Sequence, residues 1–83
     1  MVFLRLSFYD KDKLDNFIKE LKKFKVDFTD YTEDYTLDIT NVIIYSYRHN
    51  RNNFRIEVIN NFDEVVDFNI NDNEIAEREI FIR

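Results

Sequence analysis

Residues 2–25, VFLRLSFYDKDKLDNFIKELKKFK, change their hydrophobic period midway, and that change decides the fold class. Val2, Leu4, Leu6 and Phe8 alternate with Phe3, Arg5, Ser7 and Tyr9, the pattern of a strand with one strongly apolar face. From Leu14 the apolar residues recur instead at Phe17, Ile18, Leu21 and Phe24, which places them on one stripe of a helix over about residues 11–25. Asp10 or Asp12 can cap its start. Asp15 lies in an early turn and Lys22, Lys23 and Lys25 in the last, so side-chain charge opposes the macrodipole at both ends.

Beyond the helix the period returns to two. Tyr35, Leu37 and Ile39 alternate with Thr36, Asp38 and Thr40; Asn41 marks a turn or a bulge, and the run resumes over Val42 to Tyr47. Phe54, Ile56 and Val58, then Val66, Phe68 and Ile70, then Ile80 and Ile82 predict three more strands. The expected fold is α+β in the order β-α-β-β-β-β-β. One amphipathic helix packs on a mainly antiparallel sheet of about five to six strands, and residues 1–83 form a single domain. The chain contains no glycine and no proline, and ten asparagines are expected to supply its turn chemistry, because Asn tolerates the left-handed region.

The same composition removes most enzyme chemistry. There is no cysteine and a single histidine, His49, so no nucleophile and base relay of the usual kind can be assembled. Phosphate-cradling loops need glycine where backbone must approach the anion. Calcium-loop spacing fails as well: starting at Asn69 or Asp67, the sixth residue is Glu74 or Asp72 and the twelfth is Ile80 or Arg78, where Gly and Glu are required. A non-enzymatic protein without metal or cofactor is expected. The start of the chain lacks a secretory pattern, and no apolar run approaches the roughly 20 residues that span a bilayer, so the expected location is the cytoplasm.

Charge is segregated along the chain. Residues 26–47 hold five acids and no Lys or Arg; residues 56–83 hold eight acids and two arginines; the helix region and the segment 48–55 are basic. An acidic surface that meets a basic partner protein, such as a nucleic-acid enzyme, would draw on Asp30, Glu33, Asp34, Asp38, Asp72, Glu74, Glu77 and Glu79. Residues two apart in a strand share a face at about 6.6 Å, so Asp72 with Glu74, or Glu77 with Glu79, would form carboxylate rows. The alternative is a nucleic-acid-binding hairpin over residues 45–55 built on Tyr45, Tyr47, Arg48, Arg51 and Arg55. The pI of about 4.7 opposes that reading. A third reading is an assembly component that self-associates through an exposed sheet edge.

In size and charge the chain resembles the small, acidic, cysteine-free inhibitors encoded by phages, anti-CRISPR proteins among them, and toxin-neutralising immunity proteins. The resemblance covers no motif and carries over no residues. It implies an inhibitor that occupies a basic surface, and the abundance of Asn, Ile, Lys, Phe and Tyr fits an AT-rich phage or low-GC bacterial source.

Overall fold

Strand β1 (Val2–Phe8) leads through Tyr9 and Asp10 into helix α1 (Lys11–Lys23), as the change of period requires. The computed structural model describes residues 2–47 and 53–82. Asp10 is the cap: its Oδ1 accepts the Lys13 N–H at 2.9 Å. The chain continues through β2 (Phe28–Tyr31), a 3-10 turn at Thr32–Asp34, β3 (Thr36–Ile39), β4 (Val42–Tyr47), β5 (Asn53–Ile59) and β6 (Val65–Asn71). A second 3-10 turn at Asp72–Glu74 then precedes β7 (Ile75–Ile82).

Every strand pairing among the described residues is antiparallel, but the expected single sheet is corrected to two. The described residues form a four-stranded sheet, β2-β3-β1-β7, and a three-stranded sheet, β4-β5-β6. The chain changes sheet between β3 and β4, where Asn41 takes a left-handed conformation (φ 57°). Hydrophobic alternation specifies which face of a strand is buried, not which strand lies beside it, so β3 and β4 read in sequence as an ordinary neighbouring pair. Strand β2 is the additional strand; its residues are half-buried or exposed, as an edge position allows. Asp72–Glu74 is a 3-10 turn, so the expected carboxylate row of Asp72 and Glu74 along a strand does not form.

The two sheets and the helix enclose one core. Leu4, Leu6 and Phe8 of β1 meet Leu14, Ile18 and Leu21 of α1, Leu37 and Ile39 of β3, Phe54, Ile56 and Val58 of β5, and Phe68 and Ile70 of β6. Half-buried Phe17 joins the layers, its ring centroid 5.6 Å from Phe8 and 5.9 Å from Phe68. Arg78 also projects from the inner side of β7, where it opposes Leu6. Its guanidinium carbon stands 5.1 Å from the Phe54 ring centroid and it pairs with Asp72.

Helix α1 ends at Lys23 in a Schellman arrangement. The Val26 N–H donates to the Leu21 carbonyl at 2.9 Å and the Lys25 N–H to the Lys22 carbonyl at 3.2 Å, with Lys25 at φ 61° in the place usually held by glycine. The other left-handed residues among those described are Tyr35, Asn41 and Asp63, so asparagine serves this role at only one of four positions. Asn60 works differently. Its buried amide donates to the Phe24 carbonyl at 2.9 Å and to Glu64 Oε1 at 3.2 Å, while its Oδ1 accepts the N–H groups of Phe62 and Glu64, both at 2.9 Å. One side chain therefore organises the β5–β6 turn and ties it to the end of the helix.

Two stability outcomes follow. Asn60→Ala strands the Phe24 carbonyl and two turn N–H groups, and is expected to cost about 2–4 kcal/mol in denaturant melts; a loss below about 0.5 kcal/mol would mean that the tie is absent. Lys25→Gly relieves the left-handed Cβ clash and is expected to stabilise by about 0.5–1 kcal/mol. A drop in melting temperature for this variant would contradict the Schellman ending.

Candidate acidic interaction surface

The outer face of the four-stranded sheet carries the residues of β1 that the core leaves out. In register across the sheet, Thr29, Asp38, Arg5 and Glu79 form one row, and Tyr31, Thr36, Ser7 and Glu77 the next. At the centre the Arg5 guanidinium donates to both carboxylate oxygens of Asp38, at 2.7 and 3.0 Å, a two-point geometry that Lys could not reproduce. The hydrogen bond to Asp38, and after it the Asp38 charge, hold the guanidinium above its usual range against the effect of desolvation. Arg5 also lies 5.1 Å from the ring centroid of Phe81 and 5.7 Å from that of Tyr31, and Phe81 stacks on Phe3 at 4.7 Å. The Ser7 and Thr36 hydroxyls share a 2.9 Å hydrogen bond beside it.

Asp38 therefore differs from the other acids of the candidate set. It is 7% exposed and its carboxylate is taken by Arg5. Asp30, Glu33, Asp34, Glu74, Glu77 and Glu79 are exposed, and half-buried Asp72 pairs with Arg78. The row of Glu77 and Glu79 forms as expected, both on the outer face of β7.

Sequence spacing could not show that the two acidic segments meet. Adjacent backbone amides at the end of β1 hold them together: the Phe8 N–H donates to the Tyr35 carbonyl at 2.8 Å, and the Tyr9 N–H to the Glu74 carbonyl at 3.4 Å. Two adjoining shallow grooves result. One, of about 370 Å³, is lined by Arg5, Ser7, Tyr31, Asp34, Thr36, Glu77 and Glu79. The other, of about 480 Å³, is lined by Tyr9, Asp72, Asn73, Ile75, Ala76, Glu77 and Arg78. Glu77 belongs to both, and reaches this position through a bulge: β1 pairs Ser7 with Glu77 but Phe8 with Ile75, so Ala76 is an extra residue. The bulge turns Ile75 into the core and Glu77 outward, although residues two apart would otherwise share a face. The acidic segments thus share one end of the molecule, the end at which α1 starts, where the helix dipole favours negative charge.

In the alternative set, Arg55 is held by Asp67, with Nε to both oxygens at 3.0 and 2.9 Å, and by Glu57. Tyr45 and Tyr47 occupy register positions opposite Ile56 and Phe54, two buried residues of β5. Arg48, Arg51 and His49 lie outside the described residues. Among the described residues no group of three or more His, Asp or Glu side chains is arranged to hold a metal ion, and no helix is long and apolar enough to cross a membrane.

Asp38→Ala leaves the Arg5 guanidinium without its two-point partner on the sheet face, and should lower the melting temperature by several degrees. Glu79→Ala, which opposes Arg5 across β7 from an exposed position, should leave it within about a degree. Equal effects of the two changes would show that the Arg5 pair is not the anchor of this face. No protein-family model, curated protein or solved structure matches the chain.

Proposed function

We propose that this chain is a small non-enzymatic interaction protein whose acidic end docks on a basic surface of a partner protein, of the kind that otherwise holds nucleic acid, and thereby inhibits it. The observation that supports the reading is the convergence of both acidic segments on the end of β1, through the Phe8 and Tyr9 amides. Dispersed surface acids would serve solubility equally well. A set gathered by two backbone hydrogen bonds around adjoining grooves presents a concentrated field, which accelerates encounter with a cationic surface.

The chemistry of the site fits binding better than catalysis. The grooves are shallow, and their floor consists of an internal ion pair, hydroxyls and aromatic rings rather than an enclosed cavity. Exposed Tyr9, Tyr31 and Tyr35 lie among the carboxylates and supply flat, amphipathic contact area suited to Arg-rich surfaces. The nucleic-acid reading loses support, because Arg55 already pairs with two carboxylates. A cytoplasmic site of action accords with the absence of cysteine.

The test has two steps: capture with the intact chain as bait, then stopped-flow kinetics on the recovered partner. Replacing Glu33, Asp34, Glu74 and Glu77 with their amides should slow association by about tenfold at low salt, and the difference should shrink as ionic strength rises. Replacing Arg55 with Gln should leave the association rate within about twofold. An association rate that all four acidic replacements leave unchanged would overturn the proposal.

A further inference from the structure

The end of the molecule opposite the acidic grooves carries a more apolar groove flanked by lysines. Helix α1, about 20 Å long at 1.5 Å per residue, separates the two ends. Where it terminates, a groove of about 430 Å³ opens between Lys23, Phe24 and Lys25 and the β5–β6 turn, its other walls formed by Phe62, Val65 and Val66. Phe62 and Val65 are 66% and 61% exposed, large apolar side chains that the core does not use. Of the groove's two carboxylates, Asp67 is paired with Arg55, while Glu64 accepts only from the neutral Asn60 amide and keeps its charge. The exposed lysines 22, 23 and 25 form no ion pair among the described residues, and Lys23 rests its ammonium 5.4 Å from the Phe24 ring centroid. An occupant that supplies apolar surface for Phe62 and Val65, with acids placed against Lys23 and Lys25, would fit this groove.

The chain itself carries such a segment at its other end. Residues 31–35, YTEDY, form the turn between β2 and β3, with Tyr31, Glu33, Asp34 and Tyr35 exposed. The Phe8–Tyr35 hydrogen bond fixes this turn at the end where the helix begins. It cannot reach the lysine groove of its own molecule, but it can reach that of the next. We infer that the chain self-associates head to tail, the YTEDY turn of one copy seated in the Lys23–Phe24–Phe62 groove of another. The Tyr rings cover Phe62 and Val65, and Glu33 and Asp34 meet Lys23 and Lys25. Such a contact joins unlike surfaces, so it propagates into open chains or rings rather than stopping at a symmetric dimer. A patch of this size makes a weak, salt-sensitive interface. The inference shares Glu33 and Asp34 with the partner reading but not Lys23 and Lys25, so changes at the two lysines separate the failure of one from the failure of the other.

Sedimentation equilibrium of the intact protein tests it. The weight-average mass should rise with concentration up to roughly 1 mM at low salt and fall back toward the monomer as salt is added. Lys23→Glu with Lys25→Glu should weaken association at least tenfold, and so should Glu33→Lys with Asp34→Lys. An equimolar mixture of these two double variants should restore it, because each reversed groove then faces a reversed turn. Phe62→Ser should weaken association without changing the charge, and circular dichroism of each variant reports whether it is folded. A folded parent that stays monomeric throughout, or association that both charge reversals leave unchanged, would overturn the inference. So would a groove that, on the monomeric parent, takes up only a single-stranded oligonucleotide or an anionic vesicle.

Discussion

Strand β1 is hydrogen-bonded on both sides, to β3 and to β7, so the alternation of its seven residues orients the rest of the molecule. Leu4, Leu6 and Phe8 face the helix and the second sheet; Phe3, Arg5 and Ser7 face outward. A slip of one residue would bury a guanidinium in the core and expose three apolar side chains, which fixes the register. The same strand positions the candidate site, since its last backbone N–H and that of Tyr9 hold the two acidic turns. Core and candidate surface thus share one seven-residue element, and a change that loosens β1 disturbs both.

The helix and β1 were legible because their signals are local: a spacing of three and four for α1, strict alternation for β1. The division into two sheets was not legible. Strands β3 and β4 alternate as one run interrupted at Asn41, and nothing in a period of two reveals that the chain leaves one sheet for another there. Strand β2 was hidden for a related reason. An edge strand with little buried area has no need of apolar alternation, and Phe28–Tyr31 shows none. The bulge at Ala76 also escaped: Ile75, which is buried, and Ile80, which opposes Leu4, are an odd number of residues apart, and the extra residue between them is located only by the pairing with β1. The left-handed positions at Lys25 and Tyr35 carry no sequence mark; each is held by its surroundings rather than chosen by residue type.

The acidic surface was half legible. Counting charges identified both acidic segments, but their convergence depends on hydrogen bonds between residues far apart in the chain. Asp38 illustrates the difference. Its neighbours suggest one more exposed strand acid, whereas its partner lies 33 residues away, and only the register of β1 against β3 brings Arg5 over it. The lysine groove was missed for another reason. Lys22, Lys23 and Lys25 are accounted for by the helix dipole, and Phe24 by the helical stripe, so neither invited a further role. Phe62 belongs to no periodic pattern and stands free at a turn.

Both outer strands of the larger sheet place a charge on the side facing the core: Asp30 of β2 opposes Leu37, and Arg78 of β7 opposes Leu6. A fifth strand added to either margin would cover that charge from its open side and take it further out of water. An inward-facing charge on an edge strand is one means by which sheets limit edge-to-edge pairing, and this sheet has one at both margins in a chain without proline or glycine.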